Sequence, residues 1–224
     1  MKVPRAPHRW SVTPSQATRI QQRLASLVRV MKPCGRLRFV AGVDAAFPGG
    51  GTCIGGVVLW DLARHEVVEQ HVAMRPLNLP YIAGLLSFRE APALLAALRM
   101  LTIEPDVILC DGHGLAHPRR FGVACHVGVI TQRPTVGCAK SRLVGSYREP
   151  GLERGACAPL RDEGAVLGSV VRTQDSVKPV FVSVGHNIDI RSAVRLVLRC
   201  AASFRLPEPI RLADQLVGAS RRVP

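Results

Sequence analysis

The chain has little that would place it in a membrane, a disulfide-linked fold or a zinc ribbon. Among its 224 residues, no apolar run reaches the roughly 20 residues that a transmembrane helix needs. The seven cysteines are an odd number, and no two of them form a C-x-x-C pair, which argues against a disulfide framework and a zinc ribbon. We therefore expect free thiols, a reducing compartment and a cytoplasmic protein.

Lysines and acidic residues are also scarce. Only four lysines (Lys2, Lys32, Lys140 and Lys178) stand among the 30 basic residues, and Asp44 is the first of 16 acidic residues, so the net charge is +14. A charge of this size indicates a polyanionic partner, most simply nucleic acid. A basic surface without such a partner is the alternative.

The hydrophobic share of 47% is that of a folded chain, and the residue patterns predict alternating strands and helices. We expect a loose basic lead over residues 1–13 and one domain over residues 14–224. Helices are predicted at 14–30, 89–101, 119–130, 189–202 and 209–218, and strands at 36–47, 53–61, 65–74, 106–110, 135–140, 165–173 and 179–185. Three consecutive strands followed by βα units predict an α/β fold, a ribonuclease H-like mixed sheet with an N-terminal antiparallel meander and helices on both faces.

Two aspartates interrupt apolar strands. Asp44 follows Val-Ala-Gly-Val in the first strand, and Asp111 ends the run Val-Ile-Leu-Cys. An ionised carboxylate in such a place is costly unless something pairs with it, and a hard divalent cation would satisfy both. The alternatives are a salt bridge to one of the many arginines, or an aspartate that caps a turn.

Glu90 is the candidate for a third ligand. The segment Ser-Phe-Arg-Glu also matches a capping box, in which Glu90 would bond back to the backbone of Ser87. Pro92 argues against that interpretation, because a helix that starts at Ser87 would place this proline beyond the first turn. We therefore expect the helix to start nearer Arg89, which leaves Glu90 free.

Six motifs occur in order along the chain: AGVDAAF, PYIAGLLSFRE, DGHGLAHPRRFGVACH, TVGCAKSRLVG, VSVGH and RLPEPIRLAD. Together they resemble the endonuclease V family over residues 14–217. The resemblance implies a ribonuclease H-like fold and a nuclease that requires Mg²⁺, for which Mn²⁺ substitutes. It implies nicking at the second phosphodiester bond 3′ to a deaminated base, chiefly hypoxanthine, in DNA repair.

The resemblance also assigns roles to residues. It places the catalytic and metal-binding carboxylates at Asp44, Glu90 and Asp111, and a further active-site residue at His186. It makes Tyr81, in the segment Pro-Tyr-Ile-Ala-Gly, a wedge that separates DNA strands; a loop aromatic packed on the core is the alternative.

Lys140 is one of few lysines and ends an apolar strand, so we expect its compact ammonium near the scissile phosphate. A solvated surface charge is the alternative.

Hypoxanthine presents an acceptor at O6 and a donor at N1, and close backbone groups can satisfy both. Glycine permits such an approach, so Gly112, Gly114 and Gly137 are predicted to frame the base, with His117 beside it. His113 and His117 have the spacing of a helical zinc pair, but the glycines and Pro118 around them favour a loop.

The expected partner is DNA that contains deaminated bases, bound by a monomer with no stable protein partner and no membrane contact. Two other functions stay open. One is an endoribonuclease that acts on inosine in RNA, and the other is a basic nucleic-acid-binding protein without catalysis.

Overall fold

A computed structural model describes residues 1–35 and 37–221. The strands are β1 (Phe39–Gly49), β2 (Thr52–Asp61), β3 (Glu66–Pro76), β4 (Val107–Asp111), β5 (Thr135–Ala139), β6 (Cys157–Asp162), β7 (Ala165–Val171) and β8 (Val180–His186). The helices are α1 (Pro14–Ala25), α2 (Ser87–Met100), α3 (Val123–Thr131), α4 (Ile190–Cys200) and α5 (Glu208–Ser220). Within those residues, no helix has the length and apolarity needed to cross a membrane.

The strands form one mixed sheet in the order β3-β2-β1-β4-β5-β8-β7-β6. Strands β1, β4 and β5 are parallel, whereas β1–β3 form an antiparallel meander. This confirms the predicted mixed sheet with its N-terminal meander. The second half of the sheet is antiparallel as well, because β5 pairs with β8, β8 with β7 and β7 with β6 in that sense.

Helices cover both faces of the sheet, as predicted. On one face, α2 and α3 bury Ala41 and Val43 of β1 and Ile108 of β4. On the other face, α4 and α5 bury Val40 of β1 and Leu109 of β4. Alternate residues of each strand therefore contact opposite layers, as the two-residue period of a strand requires.

Strand β6 was not predicted from the sequence. Its residues alternate between exposed Cys157, Pro159 and Arg161 and buried Ala158 and Leu160. The strand lies at the end of the sheet, where a proline can stand with its missing N–H group directed away from the ladder. The proline and the charged residues hid a strand that pairs with β7 along one side and, on the other side, forms a single bridge between Arg161 and Ser146.

Helix α1 starts where the sequence predicts and ends earlier. Thr13 and Gln16 form a capping box at its start, which satisfies two of the free amides. The helix ends at Ala25 instead of continuing to Val30, and the apolar residues Leu27 and Val30, which suggested the longer helix, are 50% and 57% exposed.

Residues 1–13, expected to form a loose lead, lie against the domain. Met1 is buried with α2 and α3, and Val3 and Trp10 pack on the same cluster. The α-amino group of Met1 donates to the carbonyl of Leu101. These apolar side chains attach the segment to the core. The prediction of a loose lead considered the basic residues of the segment and not its apolar ones.

The parallel strands bring their carboxyl ends to one edge of the sheet. Val43 pairs with Cys110, and Asp111 pairs with Cys138, so Asp44, Asp111 and the end of β5 stand in neighbouring rows. Functional crevices of open α/β sheets lie at such edges.

Candidate active site

Four carboxylates from four elements meet at this edge. Asp44 comes from β1, Asp111 from the end of β4, Glu90 from α2 and Asp214 from α5. For each of the first three, a neighbouring carboxylate of the group contributes to a raised pKa. Asp214 was not predicted as a site residue, although it ends the motif RLPEPIRLAD; its position depends on how α5 packs on the sheet.

The carboxylates are buried more deeply than free ionised groups can be without cost. Burial raises the pKa of Asp44 to about 8, and Asp111 and a hydrogen bond with Asp214 contribute to the rise. Burial also raises the pKa of Glu90 well above its usual range, with contributions from Asp44 and Asp111. Within the part of the chain that the structure describes, the carboxylate of Glu90 makes neither a hydrogen bond nor an ion pair. A strongly perturbed set of this kind is typical of a functional site.

Lys140 supplies a positive charge to the group. Its Nζ lies 2.7 Å from Oδ2 of Asp111 and 4.0 Å from Oδ1 of Asp214. Burial raises the pKa of Asp111, and the ion pair with Lys140 acts in the opposite direction. The structure thus pairs Lys140 with the carboxylates, although its side chain remains 44% exposed.

The donor chemistry of the group fits a hard divalent cation. Carboxylate oxygens are the ligands that Mg²⁺ and Mn²⁺ prefer, and among the described residues the buried carboxyl group of Glu90 has no hydrogen-bond partner. Over residues 1–35 and 37–221, however, no three His, Cys, Asp or Glu side chains stand in the arrangement of a ready-made metal site. The cation next to Asp111 in this structure is the ammonium of Lys140, and the carboxylates repel one another. Carboxylate side chains can move between staggered rotamers, so a bound cation could draw these oxygens together.

The start of α2 differs from the prediction. The helix begins at Ser87, not near Arg89, and Pro92 lies inside it. Glu90 is nevertheless free of the capping box, because its carboxylate makes no hydrogen bond to the amide of Ser87. Burial against the other carboxylates, rather than a later helix start, releases this side chain.

A cavity of about 230 Å³ opens beside the carboxylates. It is lined by the loop before α2, by the turn between β4 and α3, and by residues 141–143. Gly112, directly after Asp111, and His117 belong to the lining. Tyr81, also part of the lining, is 72% exposed, and the guanidinium of Arg89 lies 5.9 Å from its ring centroid. The alternative in which Tyr81 packs on the core does not hold.

His117 is a fixed wall of the cavity. Its Nε2 donates to the carbonyl of Gly84 over 3.0 Å, and its Nδ1 accepts from the amide of Arg119 over 3.1 Å. Burial lowers the pKa of His117 to about 4 and that of His113 to about 4. Both rings lie in a loop rather than on a helix, which excludes the helical zinc pair.

Gly114 and Gly137 do not line the cavity, in contrast to the prediction. A Cβ on Gly114 would lie 2.0 Å from the carbonyl oxygen of Val184, and one on Gly137 would meet the backbone of Gly114 and Gly112 within 2.7 Å. The absence of a side chain at these two glycines lets β8 and β5 pack closely against the turn that carries Gly112. Gly114 and Gly137 therefore pack behind the wall of the cavity. Of the residues predicted to frame the base, Gly112 and His117 line the cavity.

His186 lies at the opposite end of the central strands from the carboxylates. It pairs with Thr135 at the start of β5, whereas Phe181 pairs with Ala139 beside Lys140. Four residues of strand at a rise of about 3.3 Å per residue separate the two places by about 13 Å. The ring is fully buried, and its Nδ1 accepts from the amide of Arg29. The motif VSVGH suggested an active-site histidine, but β8 runs antiparallel to β5 and carries it away.

Comparisons with known proteins agree with this geometry. The family model described as Endonuclease V matches residues 21–215. Endonuclease V from Alkalilimnicola ehrlichii is 48% identical over 217 residues, which are 96% of this chain and 96% of that protein.

Solved structures show the same fold. Endonuclease V from Streptomyces avermitilis is 40% identical with a TM-score of 0.91, over 98% of this chain and 97% of its own. Endonuclease V from Ciona intestinalis, solved with a 24mer DNA containing an inosine followed by a ribo-adenosine, is 25% identical with a TM-score of 0.80, over 92% and 96% of the two chains. The ribonuclease H-like fold is thereby confirmed. The chain belongs to the endonuclease V family and is a hydrolase that cuts nucleic acids.

Proposed function

We propose that the protein nicks DNA at the second phosphodiester bond 3′ to a deaminated base, chiefly hypoxanthine, with Mg²⁺ as its cofactor. The observation that carries the proposal is the position of the cavity, which shares the turn at Gly112 with the carboxylate Asp111. Enzymes that act beside a damaged base turn that base out of the stack into a close-fitting pocket. Here such a pocket and the hydrolytic group lie side by side.

The start of α2 supplies donors that suit hypoxanthine. The amides of Leu86 and Ser87, both in the cavity lining, have no acceptor among the residues that the structure describes. Amides at a helix start carry partial positive charge, and the O6 carbonyl of hypoxanthine accepts where the amino group of adenine donates. This end of the cavity therefore favours hypoxanthine over adenine.

The carboxylates and Lys140 suit hydrolysis of the neighbouring backbone. Asp44, Glu90 and Asp111 would hold Mg²⁺, with Asp214 next to them, and Mn²⁺ fits the same oxygen donors. Endonuclease V enzymes are metal-dependent nucleases; a cation held by these residues would stabilise negative charge on the leaving 3′-oxygen and lower the pKa of a water molecule that it binds. The ammonium of Lys140 would bind the scissile phosphate.

Tyr81 would separate the strands. It lines the cavity from the loop before α2 and is 72% exposed. An exposed aromatic ring can fill the gap that a base leaves in the stack. The loop carries Ala83 between Ile82 and Gly84.

Tyr81→Ala should weaken binding to a duplex with one inosine more than binding to the same single strand. Opening a stacked pair costs a few kcal/mol, and only the duplex requires it. Titration of both substrates by fluorescence anisotropy measures the difference, with Tyr147→Ala as the control for the other tyrosine. An equal loss on both substrates would assign Tyr81 to packing.

A nicking assay tests the proposed function. We expect cleavage of an inosine duplex at the second bond 3′ to the lesion with Mg²⁺ or Mn²⁺ and none with EDTA. Matched duplexes with guanosine or adenosine should be cut far more slowly. Equal cleavage of all three duplexes would exclude a hypoxanthine pocket, and salt-sensitive binding without cleavage would indicate a non-catalytic binder.

Inosine in RNA is the second candidate substrate. The inosine in the Ciona intestinalis complex is followed by a ribo-adenosine, and this observation supports an enzyme that accepts a ribose near the cut. The chemistry at the carboxylates would be the same. Rates on matched inosine strands of DNA and RNA, at one Mg²⁺ concentration, decide between the two substrates.

We further propose that the protein acts as a cytoplasmic monomer. The cavity and the four carboxylates come from one chain, so the site needs no partner. The seven cysteines are all free thiols, as a reducing compartment allows.

A further inference from the structure

A line of hydrogen-bonded side chains connects the N-terminal segment to the start of α2. His8 Nε2 lies 2.8 Å from His126 Nε2, and His126 Nδ1 lies 3.1 Å from Ser87 Oγ. His8 Nδ1 is 2.9 Å from the carbonyl oxygen of Arg9. We call this line the His8–His126–Ser87 chain.

The direction of every bond in this chain follows from its last acceptor. A carbonyl oxygen only accepts, so His8 carries its proton on Nδ1. A neutral His8 then accepts at Nε2, and His126 must donate from its own Nε2. The Nδ1 of His126 is consequently an acceptor, and the hydroxyl of Ser87 donates to it.

The surroundings keep both rings neutral, as this arrangement requires. His126 is fully buried, and its ring packs against Trp10, Phe88 and Phe121. Burial lowers the pKa of His126 well below its usual value and also lowers that of His8. Without His8, the Nε2–H of His126 would be a donor in an apolar site, which is costly.

Ser87 occupies a critical place at the start of α2. The preceding residue, Leu86, provides no side-chain cap for the helix, so the bond from Ser87 to His126 is the side-chain hydrogen bond of this first turn. The same turn presents Leu86 and Ser87 to the cavity, and Glu90 follows at its end. A shift of the turn would move the wall of the cavity and a carboxylate together.

We propose that His8, through His126 and Ser87, positions the first turn of α2, so that the N-terminal segment is part of the substrate-recognition apparatus. His8 and His126 touch neither base nor metal and are positioning residues. The proposal rests on the proposed function only where it concerns inosine; the hydrogen-bond directions hold independently of the substrate.

Nitrogen NMR of the histidine rings tests the directions without an activity measurement. We expect neutral His126 to be protonated on Nε2 and neutral His8 on Nδ1, with a scalar coupling across the bond between the two Nε2 atoms. His8→Gln identifies the His8 signals by their loss. A proton on Nδ1 of His126 would overturn the proposal.

Kinetics on an inosine duplex test the positioning role. We expect His8→Leu to lower kcat/KM by about tenfold to a hundredfold, as sub-ångström to 1 Å misplacements do. His8→Gln keeps an acceptor at the end of the side chain and should restore most of the rate. Pro4→Leu introduces the same side chain at an exposed residue of this segment and should leave the rate unchanged.

Ser87→Ala provides the second arm of the test. It should lower kcat/KM as His8→Leu does, and the double variant should lose little more, because residues in one network are not additive. Additive losses, or a folded His8→Leu protein with unchanged kcat/KM, would overturn the positioning role. If wild type does not cut inosine at all, the proposed function fails, while the NMR result still decides the hydrogen-bond chain.

Discussion

Glu90→Gln is expected to abolish nicking and, in the metal-free protein, to raise the melting temperature. The carboxylate is buried among Asp44 and Asp111, and an unpaired buried charge costs more than an amide of the same shape. Loss of a metal ligand removes several kcal/mol of charge stabilisation, so the rate should fall by about a thousandfold or more. Activity and stability should thus change in opposite directions.

The same carboxylates predict how stability depends on pH in EDTA. Asp44 has a pKa of about 8 in the folded chain and of about 4 when unfolded. Because the pKa is higher in the folded state, the folded protein keeps this proton at pH values where the unfolded chain has lost it. The contribution of Asp44 to the free energy of unfolding is therefore fully present below about pH 4 and is lost as the pH rises to about 8. Glu90, whose pKa is also raised, acts in the same direction. Glu90→Gln should therefore reduce the loss.

Thermal unfolding from pH 4 to 9, with EDTA or with Mg²⁺, measures these effects. Mg²⁺ should stabilise wild type at high pH, because it binds the ionised carboxylates, and should stabilise Glu90→Gln much less. The control is Glu153→Gln, which changes an exposed carboxylate and should alter neither activity nor the pH profile. A Glu90→Gln protein that keeps Mg²⁺-dependent nicking would exclude Glu90 from the metal site.

Gly42→Ala is expected to destabilise the protein and to disturb the active site from beneath. A Cβ on Gly42 would lie 2.1 Å from the backbone of Pro209 at the start of α5. The helix would have to move, and overpacking of this kind costs about 1–3 kcal/mol. Because α5 carries Asp214, nicking should also slow at temperatures where the variant is folded.

Gly218→Ala is the matched control for this substitution. Gly218 lies in α5, the helix against which Gly42 packs, and a Cβ on Gly218 would meet nothing within 4 Å. Alanine is the better helix former by about 1 kcal/mol, so the control should be as stable as wild type or more stable, with normal activity. Chemical denaturation and initial nicking rates compare the two variants. If Gly42→Ala behaves like Gly218→Ala, the close packing of β1 on α5 does not position the site.

These predictions share one physical basis. The carboxylates at the sheet edge oppose folding and serve the reaction, as is common where function requires charge in a buried place. Deletion of such a charge stabilises the fold, whereas deletion of the small residues that let the elements meet destabilises it. The two classes of variant separate the residues that react from those that support them.

Local patterns in the sequence determined most elements. The strand patterns, the predicted helix start at residue 14 and the apolar spacing of α2 are local signals, and all of these elements form. Asp44 and Asp111 could be predicted as partners because parallel strands bring their carboxyl ends to one edge. The six ordered motifs identified the family, and no tertiary contact was needed for that.

Only the tertiary structure decided which residues share the site. His186 and Asp214 both stand in recognisable motifs, but the antiparallel direction of β8 removes the first and the packing of α5 on Gly42 brings in the second. Gly114 and Gly137 support the cavity rather than line it, and His8 reaches α2 through His126. The sequence by itself determined the family, most of the elements and the two strand carboxylates, because their signals are local or lie in ordered motifs. Strand direction, helix packing and the docking of residues 1–13 depend on contacts between residues far apart in the chain, and no local pattern contains them.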